Sequence, residues 1–313
     1  MEIGCRVESR RPWTSTETIR TVATRAEALG YDSLWVSDHV VLPSVLDSTY
    51  PYGPTALFTP AESQNYFEAI TVLSFLAGVT QRPKLGVSVL VVPQRQPLVA
   101  AKQWATLDTL SGGRTILGVG AGWLREEFTA LGVDTFERRG KALDEAIRIY
   151  RGVFTERGDL SFEGEVYRFG PIRVGPNAAQ PGGVPIWIGG HSRRAQRRAA
   201  ELGDGWQATR VTRAELAAGR DNIQALLPRY GREPGAVLLA VAMSVWAPGT
   251  GPSGEVHESD LVGSAAEMAE RVRAYRAEGV EHLLLQLQPS DSYAASLDAV
   301  EFFGREVRPL LGN

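Results

Sequence analysis

The sequence LGVSVLVVPQRQPLVAAKQWATLDTLSGGRTILGVG, residues 85–120, contains the pattern that decides the fold. Its first part, Leu85 to Val92, is apolar and rich in valine, which predicts a buried strand. The segment PLVAAKQWATLDTL has helical periodicity, and the sequence Ser111-Gly112-Gly113 that follows it is a natural stop for a helix. The segment RTILGVG then predicts another buried strand. Residues 85–120 therefore predict a strand, a helix and a second strand.

The same alternation of strand and helix extends over the rest of the chain. The other strands are predicted at Glu2–Val7, Ser33–Val36, 185–190, 205–209, 236–246 and 282–287. The other helices are predicted at Thr16–Leu29, 66–79, Arg138–Phe154, 192–202, Arg213–Tyr230, Ala265–Glu278 and Tyr293–Leu310. Eight strands that alternate with helices, without a break in composition, predict an α/β fold: a (β/α)8 TIM barrel that forms a single domain over residues 1–313.

Three stretches are longer than a minimal barrel requires. Such a barrel needs about 250 residues, and the 313 residues of this chain leave room for insertions. The predicted insertions are residues 43–65, 155–184 and 247–260, after the second, fourth and seventh strands, and the second of them alternates like a small hairpin. A doubly wound sheet is the alternative architecture, but no glycine fingerprint follows the first strand.

Composition and charge exclude several classes of function. Apolar residues make up 43% of the chain and charged residues 22%, and the net charge of −3 argues against general nucleic-acid binding. No apolar run is long enough to span a membrane, and the N-terminal residues lack the pattern of a secretory signal. A single cysteine, Cys5, and four scattered histidines argue against disulfides and metal sites. We therefore expect a soluble cytoplasmic protein without a metal ion, a nucleic acid or a membrane as partner.

Polar residues and glycines cluster where the predicted strands end, and the active site of a (β/α)8 barrel is built at these carboxyl ends. The second strand is followed by Ser37-Asp38-His39, the third contains Ser88 and Val89, the fourth runs into residues 118–123, and the fifth ends in Gly189-Gly190-His191-Ser192. The strands themselves consist mainly of valine, leucine and isoleucine. These positions are therefore the candidates for a site.

The segment IGGHSRRA after the fifth strand has the features of an anion site. Gly189 and Gly190 expose backbone N–H groups, and Ser192 stands at the predicted N-cap of a helix whose dipole favours an anion. Two arginines that follow Ser192 could clamp a phosphate, whereas Arg197 and Arg198 are predicted on the solvated face of the helix. The alternative is a tight turn with an ordinary helix cap.

The segment GVGAGW after the fourth strand is a weaker signal when it is considered alone. It lacks the spacing of a dinucleotide-binding loop and the acidic partner on a following strand. Its glycines, Gly120 and Gly122, would nevertheless allow a flat ring to approach the backbone closely.

His39 is the candidate for proton transfer, because a neutral imidazole can accept a proton near physiological pH. Neighbouring residues of an extended strand point to opposite faces, so we expect that Asp38 and His39 do not pair directly. A core histidine at the rim of the barrel is the alternative for His39, and His191 has the same two interpretations. His257 and His282 are predicted to be structural or solvated.

Several segments taken together resemble the luciferase-like monooxygenase superfamily, and within it the branch that depends on the deazaflavin coenzyme F-420 (8-hydroxy-5-deazaflavin). They are LGYDSLWVSDH, the segment from LGVSVLVV to GVGAGWLREEF, FEGEVYRF and PIWIGGHSRRAQRRAAELGDGW. The resemblance is strong from about Ala26 to Trp206 and otherwise rests on the order of the strands. It implies a (β/α)8 barrel with a flavin-like ring at its carboxyl face.

The resemblance also implies roles for individual residues. His39, in the motif with Asp38, would lie beside the reactive ring, and a non-prolyl cis peptide bond between Ser88 and Val89 would support the ring as a bulge. The group implied to line the ring and its side chain or to hold the phosphate comprises Gly120, Gly122, Trp123, Gly189, Gly190, His191 and Ser192. In one respect the sequence departs from the sugar-phosphate dehydrogenases of this branch. They have an acidic glutamate where this chain has Trp123, which puts sugar-phosphate oxidation in doubt.

The resulting hypothesis is an oxidoreductase that transfers a hydride between F-420 and a small organic substrate, with His39 as the proton donor or acceptor. An FMN-dependent monooxygenase of the same superfamily and a non-catalytic barrel that binds a flavin-like molecule are the alternatives. A glycosidase would need paired carboxylates at strand ends, and only Glu8 and Asp38 are available for that role.

Two further expectations concern the surroundings of the site. The insertion at 43–65, with Tyr50, Tyr52 and Phe58, is predicted to cover the substrate and exclude water, and its alternative interpretation is a surface loop. Because barrels of this family often form dimers, the resemblance makes a homodimer possible.

Overall fold

A computed structural model describes residues 1–51, 66–288 and 292–312. The strands are β1 (Glu2–Arg6), β2 (Ser33–Val36), β3 (Lys84–Val91), β4 (Thr115–Gly120), β5 (Leu160–Glu163), β6 (Arg168–Ile172), β7 (Ile186–Gly189), β8 (Gly205–Thr209), β9 (Leu238–Trp246), β10 (Asp260–Leu261) and β11 (His282–Gln288). Eight of them pair in parallel in the order β1-β2-β3-β4-β7-β8-β9-β11, and β11 pairs with β1, so the sheet closes on itself.

The helices flank this barrel. They are α1 (Thr16–Ala28), α2 (Ala69–Val79), α3 (Pro97–Leu110), α4 (Arg125–Ala130), α5 (Arg139–Thr155), α6 (Arg193–Leu202), α7 (Arg213–Leu226), α8 (Ala265–Ala277) and α9 (Tyr293–Phe302). Within the described part of the chain, no helix combines the length and the apolar character needed to cross a bilayer.

The predicted (β/α)8 barrel is confirmed, and most strands and helices begin and end within two or three residues of their predicted positions. The hairpin predicted in the second insertion is present as the antiparallel pair β5–β6. Helix α2 starts three residues later than predicted because Glu68 caps it and accepts a hydrogen bond from the Thr71 backbone N–H at 2.7 Å. The short helix α4 and the two-residue strand β10 were not predicted.

Two tryptophans fill the lower part of the barrel interior. Trp35 of β2 and Trp187 of β7 are buried, and their ring centroids lie 5.3 Å apart. Strands that face these rings carry glycine: a Cβ atom on Gly4, Gly86 or Gly205 would lie 2.4–2.6 Å from an atom of one of the two rings. Large residues on some strands therefore fit against small residues on others, as barrel interiors require. The two rings therefore fill the barrel interior at this level.

Beneath this layer, a hydrogen-bonded chain joins β2, β11 and β1. The Trp35 indole Nε1–H donates to Ser33 Oγ at 2.7 Å, and Ser33 Oγ lies 2.9 Å from His282 Nε2. His282 Nδ1 lies 3.1 Å from Glu2 Oε2. Although serine, histidine and glutamate are arranged like a hydrolase triad, Ser33 and His282 have no exposed surface. The chain is structural, as predicted for His282.

Glu2 makes the stability of this network depend on pH. The hydrogen bond from His282 lowers the pKa of Glu2 most, burial opposes it and Lys84 assists it, so that the pKa falls from 4.5 to about 2. A lowered pKa stabilises the folded state above pH 4.5, and this contribution is lost as the pH falls from 4.5 towards 2. We expect Glu2→Gln to flatten the decline of the melting temperature between pH 5 and pH 3, to an extent of roughly one to a few degrees. The exposed hairpin variant Glu163→Gln is the control, and equal slopes in the two variants would contradict the assignment.

Candidate active site

A cavity of about 670 Å³ opens at the carboxyl end of the barrel, above the tryptophan layer. Its size lies within the range of about 300–1,000 Å³ that is typical of ligand sites. One wall comes from the ends of β2, β3, β4 and β7 and contains Asp38, His39, Ser88, Val89, Gly120, Gly122, Trp123, Gly189, Gly190 and Ser192. The opposite wall comes from β1, β8 and β11. The structure thus brings together all the predicted site residues except His191, which is not among the residues that line this cavity.

His39 is held by a carboxylate that sequence reasoning did not identify. The Nδ1 atom of His39 lies 2.8 Å from Glu127 Oε2, and both side chains are buried. Because a carboxylate only accepts hydrogen bonds, Nδ1 carries the proton, and Nε2 is then the nitrogen that can exchange one. The other oxygen, Glu127 Oε1, accepts from the backbone N–H groups of Val40 at 2.7 Å and Val41 at 3.2 Å. Glu127 therefore fixes both the imidazole and the backbone that follows it.

Glu127 stays ionised although its side chain is buried. Burial would raise its pKa, but the hydrogen bonds from His39 and Val40 outweigh burial and hold the pKa below its ordinary value. The carboxylate is consequently ionised at neutral pH, so it orients the ring and can stabilise a positive charge on it.

Aromatic rings surround His39 on two sides. The Tyr66 ring lies 5.5 Å from the imidazole and the Trp123 ring 6.3 Å from it, both in edge-to-face orientation. Tyr50 packs against Trp123 at 5.2 Å, and the Tyr66 hydroxyl donates to Ser37 Oγ at 2.7 Å. These rings limit the contact of His39 with water, which strengthens its interaction with Glu127.

The carboxylate of Asp38 is bound by groups other than His39, in agreement with the prediction that the two residues do not pair directly. Its Oδ2 atom accepts from the Val91 backbone N–H at 2.8 Å and from Arg95 at 2.9 Å, and its Oδ1 atom accepts from Arg95 at 2.7 Å. Both carboxylate oxygens are therefore engaged with β3 and the segment that follows it. Asp38 lines the cavity, but its polar atoms bind protein groups.

Strand β3 contains the predicted irregularity. The peptide bond between Ser88 and Val89 is cis, and the register between β3 and β4 shifts between Val87 and Leu90. The Val89 side chain packs between two glycines, since a Cβ atom on Gly120 or on Gly189 would lie 2.6 Å from one of its methyl groups. These glycines thus allow the bulge to enter the cavity and form a smooth wall with it.

The end of the cavity near β7 contains residues that were predicted to form an anion site. Ser192 caps α6, its hydroxyl accepting from the Ala195 N–H at 3.2 Å, and Gly190 has a φ of +96°, a conformation that favours glycine. Arg194 lines this end. The prediction for Arg198 was wrong: its side chain is buried and pairs with Asp144 of α5, because α6 packs against α5 along that face.

Helix α4 attaches the loop after β2 to the barrel. Glu126 accepts hydrogen bonds from the backbone N–H groups of Asp47 at 2.6 Å and Ser48 at 2.7 Å, while the adjacent Glu127 holds the start of the same loop. Tyr50 lies in this loop and lines the cavity. Tyr52 and Phe58, which were predicted to cover the substrate, lie outside the described residues.

The opposite wall contains polar residues that were not singled out in the sequence. Arg6 at the end of β1, Gln207 in β8 and Gln286 in β11 all line the cavity. A glutamine within the apolar strand GWQAT was the available signal, because a polar residue at an inward strand position is unusual in a packed barrel.

The geometry is suited to a flat cofactor with an anionic tail. The wall formed by Val89, Gly120 and Gly189 is smooth, and the cavity continues to the cap of α6 and Arg194. Buried Gln207, whose amide has no hydrogen-bond partner among the described residues, also indicates a ligand. In the described part of the chain, no cluster of His, Cys, Asp and Glu residues could hold a metal ion.

Known proteins of two cofactor classes are similar to this chain. It is 39% identical over 186 residues to an uncharacterized protein of Mycobacterium tuberculosis, and the match covers 59% of this chain and 62% of that protein, less than two thirds of its length. It is 28% identical over 298 residues to an FMNH(2)-dependent dimethylsulfone monooxygenase of Pseudomonas putida, with 80% of each chain covered. It is also 34% identical over 190 residues to an F-420-dependent glucose-6-phosphate dehydrogenase of Kineococcus radiotolerans, with coverage of 60% and 50%.

Solved structures show the same fold. Monooxygenase RslO1 of Streptomyces bottropensis superposes with a TM-score of 0.78 at 20% identity, covering 99% of both chains. An F-420-dependent secondary alcohol dehydrogenase superposes with a TM-score of 0.76 at 18% identity, covering 100% of this chain and 99% of the other. The model of the luciferase-like monooxygenase family matches residues 2–250. The barrel, the position of its cavity and this match together show that the chain belongs to the luciferase-like monooxygenase family.

Proposed function

We propose that the protein is an oxidoreductase that transfers a hydride between F-420 and a small organic substrate. The observation that carries the proposal is His39, whose Nδ1 is hydrogen-bonded at 2.8 Å to the buried carboxylate of Glu127 while its side chain lines the cavity beside Val89. Hydride transfer to or from an alcohol or carbonyl also requires the movement of one proton, and a fixed imidazole supplies the group for it.

The cofactor would be held by the wall that carries the β3 bulge. Val89 would support its ring, Gly120, Gly122 and Trp123 would line the ring and its side chain, and the phosphate would bind where β7 gives way to α6. There, Ser192 caps the N-terminus of α6, Gly189 and Gly190 leave the wall without side chains, and Arg194 adds a positive charge. When bound, F-420 supplies the site that accepts or releases the hydride.

The protein groups act on the proton. In oxidation, a substrate alcohol would lose the hydride from its carbon and the proton from its hydroxyl, and His39 Nε2 would accept that proton. The resulting imidazolium would be stabilised by Glu127 through Nδ1–H. In reduction, the same nitrogen would return the proton to the substrate. Tyr66 and Trp123 would exclude water from the transfer.

FMN-dependent oxygenation is the second candidate, and one observation favours it. The Pseudomonas putida relative, an FMNH(2)-dependent monooxygenase, aligns over 80% of both chains, whereas the Kineococcus radiotolerans dehydrogenase aligns over 60% of this chain. The motifs around His39 and Gly189-Gly190-His191-Ser192 support F-420 instead, because they resemble the deazaflavin-dependent branch.

Parallel titrations distinguish the two cofactors. Purified protein is titrated with F-420 and with FMN, and binding is followed by the change in absorbance and fluorescence of each cofactor. We expect F-420 to bind more tightly by about tenfold or more, a difference of about 1.4 kcal/mol. Arg194→Gln should weaken the binding of F-420, whereas Arg168→Gln, on the exposed β5–β6 hairpin, should not. Tighter binding of FMN would transfer the assignment to the monooxygenase, and binding of neither cofactor would refute both.

A further inference from the structure

We propose that the wall formed by β1, β8 and β11 binds an oxyanion of the substrate, so that the enzyme acts on molecules that carry a carboxylate or a phosphate group. The inference rests on the proposed function, because it names the substrate class of the same site. It is carried by Arg6, Arg10, Gln207 and Gln286, which line the cavity opposite the β3 bulge.

The strand register places these groups on one arc of the barrel mouth. Cys5 of β1 pairs with Leu285 of β11, so the next residues, Arg6 and Gln286, lie beside each other. Gln207 of β8 pairs with Ala240 of β9, the strand that separates β8 from β11. Gln286 pairs with Ser244 of β9, four residues further along that strand than Ala240, and both of these β9 residues have short side chains. A guanidinium and two amides from this part of the sheet therefore line the same cavity.

Two arginines bring positive charge to this arc. Arg6 and Arg10 both line the cavity there. Glu8 Oε1 lies 3.2 Å from Arg6 Nε, and Glu8 Oε2 lies 3.9 Å from Arg11 Nε, so this buried carboxylate is shared between two arginines. Guanidinium groups suit carboxylates and phosphates, so Arg6 and Arg10 can bind a negatively charged ligand at this wall.

Two tyrosines that border the cavity are close enough to sense this charge. Burial raises the pKa of Tyr66 to about 12, and the charges of Arg10 and Arg6 oppose that rise. Burial also raises the pKa of Tyr50, and the same two arginines again act in the opposite direction. Since the Tyr66 ring also lies 5.5 Å from His39, the positive arc and the proton-transferring group share one neighbour. A substrate could therefore contact both.

Gln207 is the independent indication of a ligand. Its side chain is 3% exposed and lines the cavity, yet neither its amide oxygen nor its amide nitrogen has a hydrogen-bond partner among the described residues. A buried amide without partners is costly to the fold, so such groups are commonly satisfied by a ligand. The amide N–H groups can donate to an oxyanion that Arg6 attracts, while the amide oxygen can accept from a substrate hydroxyl.

Binding of three aromatic probes tests the proposal without requiring turnover. Benzoate and phenyl phosphate carry an oxyanion, and benzamide has nearly the same shape without charge. The affinity of the purified chain for each probe is measured by calorimetry. We expect at least one of the two anions to bind about tenfold or more tightly than benzamide, and the preferred anion identifies the source of the oxyanion.

Variants locate the binding. Gln207→Leu removes the amide without leaving a charge, and Arg6→Gln removes the guanidinium; each should weaken binding of the preferred anion by about fivefold or more and leave benzamide within about twofold. Arg6→Gln can disturb folding because it leaves Glu8 with fewer partners. The amide of Gln207 bonds to no described residue, so Gln207→Leu tests the site without that complication. Arg168→Gln is the matched surface control.

The outcomes separate this inference from the assignment of the cofactor. Equal affinity for all three probes, failure of both anions to bind, or unchanged affinity in both variants would overturn the oxyanion site even if F-420 binds. Conversely, selective binding of an anion that depends on Arg6 and Gln207 would support the site even if the protein binds neither F-420 nor FMN.

Discussion

Replacing His39 with alanine is expected to lower turnover by about 10²–10⁴-fold, the usual contribution of a positioned acid or base. The imidazole is the group that the structure places in the cavity with a fixed tautomer, because Nδ1 is bound to Glu127 at 2.8 Å. Affinity for F-420 should change by less than about tenfold, because in the proposed binding mode the smooth wall and the end near α6 would provide most of the contacts. The measurements are kcat and KM of the variant and its cofactor dissociation constant.

Glu127→Gln tests whether the carboxylate acts through His39. A glutamine can accept the Nδ1–H hydrogen bond, but it loses the charge that stabilises an imidazolium and can no longer accept from all of its present donors. We expect kcat to fall less than in His39→Ala, by roughly tenfold, and KM to change little. A structural role alone would instead lower the melting temperature and leave kcat per folded molecule unchanged.

A second histidine provides the control for His39→Ala. His257 lies in the loop after β9, and its Nδ1 is 2.8 Å from Ser259 Oγ. His257→Ala removes the same side chain at a position that does not line the cavity, and turnover should be unchanged. Full activity of His39→Ala, with F-420 bound normally, would remove His39 from the mechanism.

The sequence was sufficient to predict the barrel because its signals are local. Valine-rich runs such as 85–92 and helices that end at glycine, as α1 does before Gly30, are set by neighbouring residues. Ser192 was likewise predictable as an N-cap, because its hydroxyl reaches a backbone N–H three residues later. The cis bond between Ser88 and Val89 was predicted from family resemblance, since nothing in the local sequence requires it.

Local sequence patterns could not predict which side chains contact the site residues. His39 and Glu127 are 88 positions apart, and Asp38 and Arg95 are 57 apart, so only the closed barrel brings them together. Arg198 was misassigned for the same reason: which helix face is solvated depends on where α5 packs. The inward position of Gln207 likewise depends on the closure of the sheet.

The position of Trp123 shows how such contacts refine a functional hypothesis. Sequence resemblance places it where sugar-phosphate dehydrogenases carry an acid. Here, the indole packs edge-to-face against Tyr50 and His39 and offers no carboxylate at that position. The nearest carboxylate is instead that of Glu127, which contacts His39 from the far side of the ring through Nδ1. The proposed mechanism therefore assigns proton transfer to His39 itself, rather than to a second acid at position 123.

Replacing Asp38 with alanine is expected to destabilise the protein by about 3–5 kcal/mol, the usual cost of removing one partner of a buried ion pair. The Asp38 side chain has no exposed surface, and among the described residues Arg95 would keep only Glu68, 3.6 Å away and partly exposed, as an acidic partner. The Val91 backbone N–H would also lose its acceptor. Because Val91 ends β3 just after the bulge, F-420 should bind more weakly as well. Urea denaturation and cofactor titration measure the two effects.

Two further variants separate charge from hydrogen bonding at this position. Asp38→Asn retains an oxygen for Val91 and should cost less, about 1–3 kcal/mol. In Asp38→Ala combined with Arg95→Leu, no unpaired charge remains, and we expect much of the lost stability to return, because a buried ion pair can often be replaced by apolar residues at little cost. A loss below about 1 kcal/mol in Asp38→Ala, or no recovery in the double variant, would show that the ion pair does not fix β3. The cofactor wall would then depend on the packing of Val89 against Gly120 and Gly189.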